Sequence, residues 1–319
     1  MATIRVPHPV PTPEEDAKTL RKAFEGLGTD EKAIIEVLGH RTAAQRAEIA
    51  ATYVMLYKET LVERLDSELS GDFRKAVILW AMDPAERDAK LANQALKNKG
   101  DQHIWVIIEV ACASDPDHLM LVRKAYCSLF SSSLEEDVAS RFAHEQPLGQ
   151  LLARLVSSYR YTGERVDEGL TQSEAAELYE AIRKKQPHHE GVIRMLSTRN
   201  KSQLKATFNH YKQDYGKAID EDIESSGSSQ FTSMLKVAVC CIGSPEKHFA
   251  EVVRTSVLGF GTDEDSLTRA IVSRAEIDMK KIKEEYKIRY KTTLDADVID
   301  DTSGDYKNFL LTLLGSADP

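Results

Sequence analysis

Two short segments of this chain, Gly26-Leu-Gly-Thr-Asp-Glu31 and Gly259-Phe-Gly-Thr-Asp-Glu264, combine spaced glycines with a polar exit. Glycines let a backbone turn so that successive carbonyl oxygens face one point. An acid follows each segment at the same remove: Glu68 lies 42 residues after Gly26, and Asp301 lies 42 after Gly259 (68 − 26 and 301 − 259). Both acids precede a Leu-Ser-Gly or Thr-Ser-Gly turn. Carbonyls plus one carboxylate, completed by water, make the oxygen shell of about six to eight ligands that Ca²⁺ takes. The pattern predicts two calcium sites, each a loop joined to a distant acid.

The elements that must position these groups are repeats. The offset between the two segments, 233 residues (259 − 26), persists without a gap: Arg41 meets Arg274, Tyr53 meets Tyr286, Tyr57 meets Tyr290 and Gly71 meets Gly304. A third of that offset is about 78 residues, so two further units are expected between, internal repeats being the first thing to seek in a chain. Two weaker copies lie between. Leu134-Glu-Glu-Asp-Val138 answers to Leu61-Val-Glu-Arg-Leu65, Leu196-Ser-Thr-Arg199 to Leu38-Gly-His-Arg41, and Glu224-Ser-Ser-Gly227 to Glu68-Leu-Ser-Gly71. The division is a tail over 1–13 and repeats over 14–82, 83–157, 168–243 and 244–316, with 157–169 as the longest linker.

Within a unit the apolar period is helical. Ile34, Ile35 and Leu38 share one face, and Ile49, Tyr53, Leu56 and Tyr57 another. Thr42-Ala-Ala-Gln45 fits a capping box. Asp83-Pro84 and Ser244-Pro245 each set a capping residue before a proline at the first helical position. With no alternating strand pattern, the chain reads as all-α, about five short helices to a repeat.

Bulk properties narrow the function. The net charge of −9 repels phosphate polymers and anionic bilayers unless a cation stands between them. That excludes nucleic acid as a partner and excludes a polybasic membrane anchor. No apolar run nears the roughly 20 residues of a spanning helix, and Met1–Pro13 has no apolar core of a secretory signal. Cys112, Cys127, Cys240 and Cys241 lack metal spacing and read as buried thiols of a reducing compartment.

The G-x-G-T-D-E loop, an acid about forty residues on in an [E/D]-x-S-G setting, and four repeats over essentially the whole chain resemble the annexin family. The segment Trp80–Ala89 and the loss of the second and third loops look like its plant branch. The resemblance implies a curved disc of helices and a calcium-dependent bridge to anionic phospholipid. By position it implies carbonyls of Phe24, Gly26 and Gly28 with Glu68 at one Ca²⁺, and carbonyls of Val257, Gly259 and Gly261 with Asp301 at another. The loop tips Leu27 and Phe260 would touch the bilayer. The expected location is cytoplasmic, peripheral at the plasma membrane or endomembranes when Ca²⁺ rises. In repeat two the loop reads Lys97-Asn-Lys-Gly-Asp-Gln102 and Arg141 stands at the acid's position. Repeat three reads Arg183-Lys-Lys-Gln-Pro-His-His189, without a glycine pair. Neither is expected to bind Ca²⁺.

Other readings stay beside this one. Asp295-Ala-Asp-Val-Ile-Asp300 begins like an EF-hand loop but lacks its glycine and its final glutamate. Asp301-Thr-Ser-Gly304 fits the nucleotide pattern D-x-x-G, but the chain has no G-x-x-x-x-G-K-[S/T]. The resemblance also brings peroxidase chemistry at His40, a redox pair in Cys112 and Cys240, ion conductance in stress signalling, self-association on membranes, and actin binding through Ile-Arg-Ile. The last position reads Ile193-Arg194-Met195 here.

Overall fold

The computed structural model describes residues 1–259 and 261–316. Among these residues every regular element is an α-helix, and the helices fall into four groups of five. The first group is α1 (Pro13–Ala23), α2 (Glu31–Leu38), α3 (Ala43–Tyr57), α4 (Leu61–Glu68) and α5 (Gly71–Ala81). The second is α6 (Pro84–Leu96), α7 (Asp101–Cys112), α8 (Pro116–Phe130), α9 (Leu134–Arg141) and α10 (Leu148–Val156). The third is α11 (Glu168–Arg183), α12 (Glu190–Thr198), α13 (Lys201–Tyr215), α14 (Ile219–Ser226) and α15 (Gln230–Gly243). The fourth is α16 (Pro245–Ser256), α17 (Glu264–Arg274), α18 (Met279–Tyr290), α19 (Leu294–Asp301) and α20 (Gly304–Leu313).

Local chemistry sets the ends of these helices. Thr42 accepts from the Gln45 N–H at 3.3 Å, and the Gln45 side chain accepts from the Thr42 N–H at 2.9 Å, closing the expected capping box. Thr12 with Glu15 and Thr60 with Glu63 repeat the device. Each such cap is worth about 1 kcal/mol. Pro84 and Pro245 open α6 and α16, as their fixed φ favours. The third helix of every group ends on a left-handed residue: Lys58, Ser131, Gly216 and Lys291. The would-be EF-hand segment lies inside α19, a regular helix capped by Thr293.

Each group packs on a fully buried tyrosine of its third helix: Tyr53, Tyr126, Tyr211 and Tyr286. A buried hydroxyl needs a partner. Tyr126 donates to Asp137 at 2.6 Å, Tyr211 to Asp222 at 2.8 Å, and Tyr286 to Asp297. Burial and the aspartate bond push the Tyr126 hydroxyl up to about 12. In the first group the acceptor is Glu59 at 3.3 Å. Ile34, Ile35, Leu38 and Ile49 are buried as expected, but Leu56 is exposed. In the last turn of α3 it is Tyr57 that turns inward, its ring 4.8 Å from that of Tyr53.

The chain divides into two compact units, Ala85–His248 and Met1–Pro84 joined with the chain from Phe249 onward. In the second of these the extended N-terminus is strapped to the fourth group. Thr3 donates its N–H to the Ala275 carbonyl at 2.9 Å and its hydroxyl to the Leu313 carbonyl at 2.6 Å. Lys280 N–H donates to the Met1 carbonyl at 3.1 Å, and Glu276 holds Arg46 at 2.9 Å. Trp80 is fully buried there, with its indole N–H on the Leu38 carbonyl at 2.7 Å and Arg46 3.6 Å over its ring.

Candidate metal centres

Each candidate centre is built from one interhelical loop and the end of the fourth helix of the same group. In the first group the loop spans 24–30 and closes where the Asp30 N–H donates to the Ala23 carbonyl at 2.9 Å. In the fourth the Asp263 N–H donates to the Ser256 carbonyl at 2.8 Å. Inside the loops Gly26 and Gly28 take φ of 106° and 90°, and Gly259 and Gly261 take 109° and 90°. Glycine alone reaches these values without strain, so the glycines of the two loops turn the backbone in the same way. Asp30 and Asp263 cap the next helix, accepting from the N–H of Ala33 and Ser266, both at 3.0 Å.

Glu68 and Asp301 are the last residues of α4 and α19. A threonine ties each to its loop. Thr29 donates to the Glu68 carboxylate at 3.0 Å and also reaches its carbonyl at 3.4 Å. Thr262 donates to the Asp301 carbonyl at 3.0 Å and to its carboxylate. The sequence carries this signal, a threonine repeated after each second glycine, although spacing alone suffices to pair loop and acid.

The carbonyls named by position are poor in other partners. Among the described residues no N–H donates to the carbonyls of Gly26, Gly28, Val257, Gly259 or Gly261. The Phe24 carbonyl accepts from the Arg64 guanidinium at 3.4 Å, and the same nitrogen lies 2.8 Å from the Glu68 carboxylate. The Phe24 side chain is itself buried, its ring edge-on to Tyr53 at 6.4 Å. Oxygen-only donors that already draw in a cationic side chain fit Ca²⁺, a hard cation that prefers oxygen.

At the tips, Leu27 is fully exposed. Phe260 lies outside the described residues. Leu258, not anticipated, is 54% exposed beside Gly259, and its signal was an apolar residue flanking a glycine pair.

The middle groups lack the arrangement. Arg141 ends α9 at the acid's position and pairs with Glu145 at 2.8 Å. The loop before α7 has one left-handed glycine, Gly100. In the third group the register departs from the sequence match. α14 has the length of α4, and Tyr211 with Asp222 repeats the spacing of Tyr53 with Arg64, so Ser226 stands where Glu68 stands. Glu224 lies two residues earlier, exposed, with Lys236 at 3.0 Å. The Ser-Gly pair at 226–227 lies two positions short of the register that Tyr211 and Asp222 set, so matching it to 70–71 misplaces the acid.

The remaining candidates are scattered. His40 Nδ1 is 2.6 Å from the Arg5 carbonyl, beneath the N-terminal strap. Cys112, Cys240 and Cys241 are buried, but Cys127 is exposed. The buried stripe of α8 runs through Leu119, Val122 and Tyr126, which turns Cys127 outward. Of Ile193-Arg194-Met195 only Arg194 is exposed. Arg41 ties its own group together, gripping Asp16 of α1 at 2.7 and 2.8 Å.

The Annexin family model matches residues 15–80, 87–143, 173–238 and 248–313. Annexin D3 of the plant Arabidopsis thaliana is 53% identical over 99% of both chains. Among solved structures, annexin III superposes with a TM-score of 0.89 at 31% identity, covering 99% of this chain and 98% of that one. Calcium-bound annexin (Sm)1 does so with 0.84 at 29%, covering 97% and 91%. Each matched segment of the family model falls within one five-helix group, and the chain belongs to the annexin family, most like its plant members.

Proposed function

We propose that the loops of the first and fourth repeats dock this protein on anionic phospholipid by holding Ca²⁺ between the loop oxygens and the lipid headgroup. Calcium-dependent phospholipid binding is the general property of the family, and the matched annexin (Sm)1 structure is calcium-bound. The observation that carries the assignment to these two loops is their common geometry: paired left-handed glycines, a threonine bridge, and one carboxylate at a helix end.

Phe24, Gly26 and Gly28 would offer carbonyls with the Glu68 carboxylate, and Val257, Gly259 and Gly261 would do so with Asp301. When bound, Ca²⁺ supplies the positive charge that offsets the repulsion between a −9 chain and an anionic surface. Each loop fills only part of a calcium shell, so a phosphate or carboxylate of a headgroup completes it. Affinities for Ca²⁺ and lipid are therefore coupled in both directions. Leu27 and Leu258 stand exposed to meet the interfacial layer. Among the described residues no helix is long and apolar enough to cross a membrane, so attachment by these helices is peripheral.

Sedimentation with phosphatidylserine vesicles across a Ca²⁺ titration tests this. Glu68→Gln and Asp301→Asn should each move the midpoint to higher Ca²⁺, and the double variant should remain in solution. Sedimentation of the double variant at wild-type Ca²⁺, or of the wild type with chelator present, refutes it.

A further inference from the structure

Resting on that reading, we infer that Arg64 is a tethered counter-cation that competes with Ca²⁺ for the first centre and sets its calcium threshold above that of an unguarded loop. Its position is occupied differently in the other repeats. Eleven residues after the buried tyrosine of the third helix stand Asp137, Asp222 and Asp297, each accepting that tyrosine's hydroxyl. Only in the first repeat is the residue basic. Glu59 takes over as acceptor for Tyr53 at 3.3 Å, which leaves the eleventh residue without its structural task.

The freed side chain turns to the loop. One guanidinium nitrogen of Arg64 lies 3.4 Å from the Phe24 carbonyl and 2.8 Å from the Glu68 carboxylate. These are two of the oxygens proposed for Ca²⁺, and a cation that holds both must be displaced before they can serve the metal. The pair to Glu68 has the ordinary i,i+4 spacing of a helix, whereas the reach to the Phe24 carbonyl crosses to a residue 40 positions earlier and ties the same guanidinium to the loop. The guanidinium is also packed against the Phe24 ring, 5.7 Å from its centroid, which fixes it at the loop. The fourth repeat has no such guard. Among the described residues Asp301 has no ion-pair partner, and its bonds come from Thr262. The counterpart of Arg64 there is Asp297, which is occupied by Tyr286 and by Arg254 at 2.8 Å.

The experiment uses the full chain carrying Asp301→Asn, so that the first centre is read alone. Ca²⁺ binding without lipid is followed by titration calorimetry, and the Ca²⁺ midpoint for phosphatidylserine vesicles by sedimentation. Arg64→Gln and Arg64→Ala should lower both midpoints by about two- to fivefold, the range a partly exposed ion pair supports. Arg64→Lys, which keeps a cation within reach of Glu68, should titrate close to the parent. Damage to the fold would raise the midpoints, so it cannot imitate this gain. Neutral variants that titrate with or above the parent overturn the inference, as does a lysine variant that titrates with the neutral ones. Glu68→Gln in the same background separates the two levels. If it abolishes the remaining binding while Arg64→Gln does nothing, only the guard is lost. If Glu68→Gln also does nothing, the first centre itself is refuted.

Discussion

The first and third repeats are built on one frame and end in different chemistry. Tyr211 answers to Tyr53 and Arg199 to Arg41 at a common spacing of 158 residues (211 − 53 and 199 − 41). Arg41 grips Asp16, and Arg199 grips Glu174 at 2.8 Å, each tying the end of the second helix to the first. Yet the loop of the third repeat has Lys184, Lys185 and Gln186 where the first has two glycines near the same bend, and Ser226 where the first has Glu68. The frame is held by buried pairs between helices, and the site by about eight residues in two turns. Either can change while the other persists.

Breaking the frame should cost the most. Arg41→Ala leaves the buried Asp16 without its cation, a loss of about 3–5 kcal/mol. Arg199 is more exposed, and Arg199→Ala should cost less, about 1–3 kcal/mol. Urea unfolding of the two variants measures the difference, and equal losses would mean that the buried acid left behind, not the exposure of the arginine, sets the cost. The site should respond to local change only. Ser226→Glu restores an acid to the third repeat but leaves a loop without paired glycines, so the Ca²⁺ midpoint for vesicles should not move. Replacing residues 183–189 with the glycine loop as well should add a third binding event in calorimetry. A gain from Ser226→Glu alone would show that the loop path is dispensable.

The smallest effect concerns the second repeat, where another acid-and-cation cluster sits. Burial raises the Asp88 pKa, but Arg87 at 2.8 Å and the His118 bond at 2.7 Å outweigh it, and the carboxyl is held below its ordinary value. A lowered folded value means stability that is present above the ordinary aspartate pKa, about 3.9, and lost as pH falls through the folded one. Asp88→Asn should therefore flatten the acid limb of the stability–pH curve below about pH 4, with little change near neutrality in its slope.

What could be read from the sequence was local. The Thr42 capping box, the prolines that open α6 and α16, and the glycine pairs each depend on residues within a few positions of one another. The pairing of loops with Glu68 and Asp301 was legible because it occurs twice at equal spacing. Glu224 was misplaced because its register is set through space, by Tyr211 and Asp222, while a Ser-Gly pair is common in any turn. Arg64 could not be read at all. Its role depends on a carbonyl 40 residues earlier in the chain and on Glu59 relieving it of another task.

The strap of the N-terminus onto the fourth repeat has a consequence for the order of assembly. The unit that holds both candidate centres is made of the first and last parts of the chain, with Ala85–His248 between them. Its pairings Thr3–Ala275, Thr3–Leu313 and Arg46–Glu276 are all non-local, and closing so long a loop costs entropy before any contact repays it. On a ribosome the middle unit has all of its own residues available while the first helices still wait for partners not yet made. Both candidate loops would then mature together, once the fourth repeat has been made, and a chain lacking Thr3 would lose the strap that closes their unit.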